Sequence, residues 1–432
     1  MTVNATTIGP RESIGAAGWK IVLLASLGGT LEFYDFVIFG IFARDIAAAI
    51  FPNPTPLVSL MVSFAAFAAG YLARPIGGIV LSHFGDRYGR RRVFLISIFV
   101  MSGATLGMGL VPTFAAWGPV SSALMVTLRL VQGFCLGGEL PGALTYVVET
   151  APRHAPFVCG VVFSCVTLGV AVATGVSIAV RTWLPADLVA FWGWRLAFAI
   201  GGLGGLLSFV LRRSLEESPE FARMKELASR RPFSEVLRTH FSSVAAGIAI
   251  LAATGGFNGL FFGHMAAYLS GVLKYEQREA VVAQTIGVVV MSIGILTVGW
   301  IADRVSPRRL LRAGAAALAL LAYPFYNAIA AQSASPAVLL ALAGICASLV
   351  NGTFAVLLTD LFPTRIRFTG VALVFNVAFS IFSGTGPLVA TSLIQSSGSV
   401  TAPAIVMIVC ALATFAGSFG LSSGEGSILR RS

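Results

Sequence analysis

Residues 85–92 read GDRYGRRR, and residues 303–309 repeat part of that pattern as DRVSPRR. The two copies lie about half the chain length apart, and Gly299 precedes the second aspartate by four positions. A second pair of motifs follows in the same order. Residues 149–153 read ETAPR, and residues 360–365 read DLFPTR, each with a glycine a few positions further on. Motifs that recur in the same order predict a duplicated architecture.

The composition places this duplicated chain in a membrane. Of its 432 residues, 56% are hydrophobic and 11% are charged, whereas soluble proteins are about 25% charged. A soluble core could not absorb so much apolar surface, and a span needs roughly 20 apolar residues. In membrane proteins, such repeats are typical of transporters. We predict twelve spans, at 18–43, 57–82, 93–112, 119–148, 156–181, 189–211, 241–270, 279–301, 310–330, 336–359, 367–395 and 399–421.

The net charge of +11 follows the predicted topology and does not indicate nucleic-acid binding. With both termini inside, most of the 29 Lys and Arg residues fall on the cytoplasmic side. The positive-inside rule predicts this orientation. The basic residues that fall elsewhere are Arg44, Arg181, Arg195, Lys274 and Arg278 at the outer ends, with Arg74 and Arg129 inside the membrane.

A long hydrophilic connection separates the first six predicted spans from the last six. Residues 212–240 are rich in Arg, Lys and Glu, which indicates a cytoplasmic linker. It could be a short amphipathic helix on the membrane surface or a solvated tether. The predicted domains are a cytoplasmic tail at 1–17, a six-helix bundle at 18–211, the linker at 212–240, a second six-helix bundle at 241–421 and a cytoplasmic tail at 422–432.

No cofactor and no metal site is predicted. The five cysteines lie in apolar helices, where we expect them to be packing residues. The chain contains neither a GxGxxG nor a Walker sequence, so we do not expect ATP-driven pumping by this chain alone. The first apolar run is long enough to span the membrane, so we expect it to be retained and not cleaved as a signal peptide.

The arrangement of motifs resembles the major facilitator superfamily, in which DRxGRR lies between spans 2 and 3 and a degenerate copy lies between spans 8 and 9. Ser82 stands where that superfamily usually has a glycine. Several stretches are similar to the metabolite–proton symporter family. These are LEFYDF at 31–36, ARPIGG at 73–78, RLVQGF at 129–134, GGE at 137–139, WGWR at 192–195 and LRRSLEESPEF at 211–221.

The resemblance, which runs from about residue 18 to 395, implies both a fold and a function. The implied fold is an all-α membrane protein with twelve transmembrane helices in two pseudo-symmetric six-helix bundles. The implied function is proton-coupled uptake of a small metabolite, an organic acid or a zwitterion, by a monomer in a bacterial inner membrane. The overall length and short tails look most similar to the citrate and tricarballylate carriers of the family.

Charged residues inside the predicted spans indicate a transport site. A charge at the bilayer centre costs about 2.5–3.5 kcal/mol on insertion scales, so it usually faces the bundle interior and has a partner. At about 1.5 Å per residue, Asp35 in span 1 and Arg129 in span 4 each lie roughly 14 Å from the outer end. Glu32 lies one turn deeper on the face of Asp35. We therefore predict that these three residues meet near mid-membrane.

Two roles are open for this trio. Two carboxylates beside one guanidinium would leave a net negative charge in a low-dielectric interior, so one carboxylate should carry a proton. A carboxylate substrate could then bind Arg129 while the acid is protonated, with Gln132 and Tyr34 as further substrate ligands. The alternative is a static ion pair that locks spans 1 and 4 together.

A second charged layer is predicted closer to the cytoplasm. Arg74 and Glu139 each lie roughly 26–29 Å from the outer end by the same helix rise. There they could form an ion pair. The resemblance to the symporter family implies a structural or gating role for this pair, and we consider Glu139 a further candidate for carrying the coupling proton.

Charges at the predicted cytoplasmic helix ends indicate a latch between the two halves. It would hold that side closed and break when the carrier opens inward. The acids favour a latch over simple positive-inside anchoring, because anchoring needs no acid. The predicted gating residues are Asp86, Arg87, Arg90, Arg91, Asp303, Arg304, Arg308, Arg309, Arg74, Glu149, Asp360 and Arg365.

Polar side chains in the second half are weaker candidates for substrate ligands. His264 and Tyr268 lie in span 7, Asn351 in span 10 and Asn376 in span 11. An unperturbed histidine titrates near physiological pH. The alternative for each residue is a packed polar side chain, and Gly352 beside Asn351 indicates a close helix contact.

The main prediction is a symporter that takes up a citrate- or tricarballylate-like anion with protons by alternating access. The nearest alternative is uptake of a zwitterion such as proline or betaine. We rank it second because osmosensing carriers of that kind often have a long C-terminal helix. Drug–proton export fits the span 1 and span 4 motifs less well. A membrane enzyme would need a nucleophile motif that is not visible, and a channel needs no buried carboxylate–arginine set.

Overall fold

The computed structural model describes residues 16–88, 90–212, 232–364 and 366–421. Regular structure over these ranges is helical, without a strand among them, and the helices fall at the twelve predicted positions. We number the spans 1 to 12. In the first half they are Ala16–Ile41 (1), Pro56–Tyr88 (2), Arg90–Leu110 (3), Pro119–Leu136 with Glu139–Thr150 (4), Ala155–Trp183 (5) and Val189–Gly193 with Trp194–Arg212 (6).

The second half continues the same series. Its spans are Phe241–Asn258 with Gly259–His264, Met265–Ala267 and Tyr268–Val272 (7), Gln277–Ala302 (8), Pro307–Ala330 (9), Pro336–Asn351 with Phe354–Asp360 (10), Arg367–Ala378 with Phe379–Gly384 and Gly386–Ser397 (11), and Pro403–Gly417 with Ser418–Gly420 (12). The shorter connecting helices are Ala43–Ile50, Phe114–Trp117, Pro152–His154, Ala186–Leu188 and Pro232–Thr239.

The helices have the length and composition of membrane spans. Within the described ranges, ten are long and apolar enough to cross a bilayer. Span 3 has a shorter apolar part, Leu95–Leu110, and span 1 is one helix of 26 residues. Large apolar side chains such as Leu203 and Ile293 are exposed on the helix surfaces, as expected where lipid is the solvent. The predicted all-α membrane fold is confirmed.

Several spans are interrupted, and two of them, spans 4 and 10, are interrupted at matching places in the two halves. Span 4 breaks after Leu136 and span 10 breaks after Asn351, in both cases next to glycine. Spans 7 and 11 contain the π-helical segments Gly259–His264 and Phe379–Gly384. Such segments are frequent at functional sites. Membrane helices tolerate them where neighbouring groups satisfy the freed backbone.

The two halves contact each other closely along two helix pairs. Span 5 packs against span 8, where a Cβ added to Gly160 would lie 3.1 Å from the Cα of Gly299. Span 2 packs against span 11, where the Ser380 hydroxyl donates to the Tyr71 carbonyl oxygen. Small residues at such interfaces let two helix backbones approach. The pairs 2–11 and 5–8 are related by the sequence duplication.

Parts of the predicted organisation lie outside the described structure. Most of both tails and of the linker falls on residues 1–15, 213–231 and 422–432, so the predicted domain boundaries stay predictions. The side chains of Asp86, Arg87, Arg90 and Arg91, and all of Arg365, also lie outside it. The five cysteines form no disulfide, in agreement with the expected packing role.

Candidate substrate and coupling site

Arg129 lies at the centre of the first half, in contact with three aromatic rings. Its guanidinium carbon is 4.3 Å from the ring centre of Phe36, 4.5 Å from that of Phe39 and 5.2 Å from that of Phe67. We call these three rings the aromatic cage. Arg129 and the cage are completely or almost completely buried. Cation–π attraction is strongest where the cation has lost its water, so the cage compensates for part of the burial of Arg129.

Polar contacts satisfy only one side of the guanidinium. Arg129 Nη1 donates to Gln132 Oε1 at 2.5 Å and to the carbonyl oxygen of Phe36 at 3.4 Å. The Nε and Nη2 atoms have no hydrogen-bond partner. Unsatisfied buried donors are costly. Two donors of Arg129 therefore remain available to an anionic group.

Gln132 connects three spans around this arginine. Its Nε2 donates to Thr105 Oγ1 of span 3 at 2.8 Å and to the backbone oxygen of Asp35 at 3.3 Å. Its Oε1 accepts from Arg129. The side-chain amide of Gln132, which we predicted as a substrate ligand, therefore already makes hydrogen bonds within the protein. Through them it links Arg129 to the Asp35 backbone.

Asp35 does not meet Arg129. Both residues are buried, but no ion pair joins them; the Asp35 carboxylate lies near the Thr105 hydroxyl of span 3 and makes no hydrogen bond of normal geometry. The carboxylate points to span 6, where a Cβ on Gly201 would overlap Oδ1 and one on Gly205 would lie 3.4 Å from Oδ2. The prediction of an Asp35–Arg129 meeting is wrong, because helix rise fixes depth but not the direction of a side chain. Tyr34, which also points this way, donates to the Ala197 carbonyl oxygen at 2.9 Å.

Arg74 is buried in the same region, among three aromatic rings. Its guanidinium carbon lies 5.4 Å from the ring centre of Tyr71, 5.6 Å from that of Phe375 and 5.9 Å from that of Phe36. The carboxylate that acts electrostatically on Arg74 is that of Glu32.

These observations differ from two predictions. Arg74 forms no ion pair with Glu139, the partner considered for it above, and the carboxylate of Glu32 acts electrostatically on Arg74, whereas we expected Glu32 beside Arg129. The long arginine side chain reaches away from the depth of its own Cα, which the helix arithmetic did not include. The buried set now has two acids, Glu32 and Asp35, and two arginines, so the predicted excess of carboxylate over guanidinium does not hold.

His264 lies buried where span 7 meets the first half. Its Nε2 is 3.1 Å from Thr391 Oγ1, and its ring centre is 5.4 Å from those of Tyr268 and of Phe64 in span 2. Its Nδ1 has no partner. Tyr268 donates its hydroxyl hydrogen to the Val400 carbonyl oxygen at 2.7 Å. His264 therefore contacts both halves, while the Tyr268 hydroxyl is occupied within its own half.

The two asparagines differ in their contacts. Asn351 Nδ2 donates within its own helix, to the Ala347 carbonyl oxygen at 2.9 Å. Asn376 Nδ2 donates to the carbonyl oxygen of Gly137 in span 4 at 2.6 Å. The Oδ1 atom of each is buried without a partner. Asn376 therefore links the two halves next to the break in span 4.

At the predicted cytoplasmic face, an ion pair joins the halves. Arg367 Nη1 of span 11 donates to Glu149 Oε1 of span 4 at 2.9 Å. Arg367 Nε also donates to the carbonyl oxygens of Thr359 and Phe362. Glu149 was predicted as a gating residue, but Arg367 was missed, although it lies two positions after the arginine of the DLFPTR motif.

Asp303 makes a second contact between the halves at this face. Its Oδ2 is 3.1 Å from His154 Nδ1, and its Oδ1 accepts from the Phe157 backbone N–H at 3.2 Å. The carboxylate thus caps the first turn of span 5, where the helix dipole favours an anion. Asp303 was predicted to act with Arg308 and Arg309. The Arg304 guanidinium instead lies 4.1 Å from the Trp300 ring centre, within span 8.

Contacts at the opposite ends also bring the halves together. A Cβ on Gly40 of span 1 would lie 2.7 Å from the Cα of Gly263 in span 7. The two halves therefore contact each other on both sides of the layer around Arg129. A cavity of about 310 Å³ lies elsewhere, among apolar residues of the second half that include Phe261, Met265 and Tyr326. It lacks charged groups and is no candidate for the charged site. Among the described residues, no cluster suited to a metal ion occurs.

Comparison with known proteins decides the family. Residues 25–387 match the model of the Major Facilitator Superfamily. The chain belongs to the Major Facilitator Superfamily. Its fold is also similar to that of the proton:xylose symporter XylE bound to 6-bromo-6-deoxy-D-glucose, with a TM-score of 0.75 and 16% identity over 94% of this chain and 95% of that one. The major facilitator fold, a secondary transporter and a multi-pass membrane protein are thereby confirmed, and the chain is not an enzyme.

Curated relatives of this major facilitator protein are named as transporters of proline and betaine. It is 30% identical over 410 residues to the glycine betaine/proline/ectoine/pipecolic acid transporter OusA of Dickeya dadantii, covering 91% of this chain and 81% of that protein. It is also 30% identical over 411 residues to the proline/betaine transporter of Salmonella typhimurium, with the same coverage. The resemblance to citrate and tricarballylate carriers is not supported by these relatives.

Proposed function

We propose that this carrier takes up a small zwitterion of the proline or betaine class together with protons. The observation that carries the proposal is the setting of Arg129, a buried guanidinium with two free donors inside an aromatic cage. The relatives named as proline and betaine transporters support the same substrate class. Uptake of a zwitterion is the alternative that we ranked second, behind a citrate-like anion, from the sequence alone.

Both ends of a zwitterion match groups in this layer. A carboxylate suits the planar, two-pronged donor geometry of arginine, and Arg129 Nε and Nη2 have no other partner. An ammonium group suits aromatic faces, which Phe36, Phe39 and Phe67 supply. A zwitterion also adds no net charge to a buried site. Net-neutral ligands avoid the cost of placing an uncompensated charge in a low-dielectric interior.

Asp35 is our candidate for the coupling proton. Its buried carboxylate has no ion-pair partner, and protonation removes the cost of an isolated buried charge. Gln132 bonds both to Arg129 and to the Asp35 backbone, so movement of the arginine toward a substrate displaces a group attached to Asp35. Glu32, which acts electrostatically on Arg74, is the second candidate, and Glu139 is the third.

The contacts between the halves support alternating access. Opening to the cytoplasm requires Glu149 to separate from Arg367 and Asp303 from span 5, while outward opening separates Gly40 from Gly263. We propose that both termini lie in the cytoplasm of a bacterium and that the carrier works as a monomer in the inner membrane. In this orientation the Arg367 and Asp303 contacts form the cytoplasmic gate.

A di- or tricarboxylate is the second candidate substrate, favoured by one observation. Arg74 and Arg129 both lie against the ring of Phe36, so two guanidinium groups approach one region. Two carboxylates of one anion could bind such a pair. The named relatives weigh against this reading.

Uptake into proteoliposomes tests the proposal. With an inward proton gradient, labelled proline or glycine betaine should accumulate, while citrate and tricarballylate should neither accumulate nor compete. A protonophore should abolish accumulation but leave counterflow intact. Unchanged uptake with no pH gradient and no membrane potential would exclude proton coupling. Uptake of citrate alone would replace the zwitterion with the second candidate.

A further inference from the structure

We propose that the aromatic cage of Phe36, Phe39 and Phe67 is the binding site for the cationic head of the substrate. The Arg129 guanidinium fills this site when no substrate is present. On binding, the guanidinium turns to the substrate carboxylate and the substrate ammonium takes its place among the rings. The inference rests on the proposed function, because it assigns the two ends of a zwitterion to two named groups.

The cage already holds one cation of suitable size. The three ring centres surround a single guanidinium carbon at 4.3, 4.5 and 5.2 Å. These distances are within the range of about 6 Å over which a ring attracts a cation. A trimethylammonium group is, like guanidinium, a compact group with one positive charge. The rings can therefore accept one cation in place of the other without leaving a void.

Arg129 has few hydrogen bonds to lose when its guanidinium leaves the cage. Only Nη1 donates, to Gln132 and to the Phe36 carbonyl oxygen, while Nε and Nη2 have no partner. A carboxylate would satisfy these two donors, and charged hydrogen bonds of this kind are among the stronger ones in proteins. The total buried charge stays the same, since a zwitterion brings one positive and one negative group.

The position of Phe67 connects the cage to the opening of the carrier. A Cβ on Gly263 of span 7 would lie 3.1 Å from Phe67 Cζ, so the second half packs directly against this ring. Separation of spans 1 and 7 would uncover the Phe67 side of the cage. A substrate arriving from that side reaches the ring before it reaches Arg129.

The first experiment compares two ligands of the same shape. Glycine betaine and 3,3-dimethylbutanoate differ only in the replacement of a charged nitrogen by a neutral carbon. We expect purified wild-type protein to bind betaine about tenfold more tightly than 3,3-dimethylbutanoate, whose head group is uncharged, from the size of cation–π effects at desolvated sites. Phe39→Leu and Phe67→Leu should each lower this preference several-fold, with little change in affinity for the analogue.

A further variant serves as the control. Phe261→Leu removes a buried ring that contacts Phe257 and Phe262 and no guanidinium, so the preference should stay at the wild-type value. If both cage variants retain the full preference for betaine, the cage is not the ammonium site.

The second experiment does not depend on which substrate is carried. Arg129→Ala and Arg129→Gln empty the cage, so each should bind tetramethylammonium, a cation without a carboxylate, at least several-fold more tightly than wild type. Adding Phe67→Leu should abolish this gain. If the Arg129 variants gain affinity for tetramethylammonium but the wild-type protein does not take up betaine, the cage is retained and the proposed function is rejected. If the wild-type protein takes up betaine but neither folded Arg129 variant gains affinity, the function is retained and the cage is rejected.

Thermal unfolding of each purified variant shows whether it is folded. Should both Arg129 variants fail to fold, the ligand comparison in the cage variants decides the proposal alone.

Discussion

Arg367 Nη1 lies 2.9 Å from Glu149 Oε1, and this ion pair joins span 11 to span 4 across the two halves. Both side chains are largely buried. Arg367 is fixed further by the carbonyl oxygens of Thr359 and Phe362. The pair therefore forms a positioned contact that must break when the halves separate at this end.

Removing one partner of this pair should impair transport more than removing both. Breaking a buried pair on one side costs about 3–5 kcal/mol, because a charge stays behind unpaired, and solvent access to Glu149 should reduce that figure. We expect Glu149→Ala and Arg367→Ala each to lower counterflow and thermal stability. The exchange Glu149→Arg with Arg367→Glu should recover part of both. Strictly additive effects in the double-mutant cycle would show that the contact contributes nothing.

Asp303 should stabilise the contact between the two halves as a cap on span 5. Asp303→Ala should lower the free energy of unfolding by about 1 kcal/mol, within the range of measured N-cap losses. Asp303→Asn keeps an oxygen that can accept from Phe157 N–H and should lose less. Thermal unfolding in detergent would measure both, with exposed Asp187→Ala as the matched control. Equal losses for the Ala and Asn variants would point to charge and not to capping.

Asp35→Asn should separate binding from coupling. An amide resembles the protonated acid in charge and shape, so this variant should still bind substrate and catalyse counterflow. It should fail to accumulate substrate against a gradient, because no proton can be released. Accumulation assays beside counterflow in the same proteoliposomes give the comparison.

Glu32→Gln is the control for Asp35. Glu32 acts electrostatically on Arg74, so we expect this variant to show the milder coupling defect. The reverse order would assign the proton to Glu32. Normal accumulation by both variants would leave the span 1 acids with a structural role and make Glu139 the next candidate.

Arg129→Lys should be poorly tolerated. Lysine keeps the charge but loses the planar fork that can hold Gln132 and a carboxylate together. We expect substrate affinity to fall at least tenfold, measured by binding to purified protein. Arg312→Lys is a matched control that should bind substrate normally. Arg312 lies near the start of span 9, where its Nε donates to Ser418 Oγ. Wild-type affinity in Arg129→Lys would remove Arg129 from the substrate site.

The sequence alone determined the architecture of this protein. Apolar runs of span length, the asymmetric placement of Lys and Arg and the repeated motifs depend on local composition and order, so they predicted twelve helices in two related halves. The same reasoning identified Glu32, Asp35, Arg74 and Arg129 as special, because a buried charge is costly wherever its helix points.

Tertiary structure decided which of these charges meet. Helix rise predicted that Asp35 and Arg129 share a level, but the rotation of each helix turns Asp35 to Gly201 and Arg129 to the aromatic cage. Phe residues in an apolar helix are typical of ordinary packing, so the sequence did not predict the aromatic cage. Arg367 and His154 contact the other half only because spans from different halves pack together. Pairing between distant segments depends on helix rotation and side-chain reach, which residue order in a single chain does not specify.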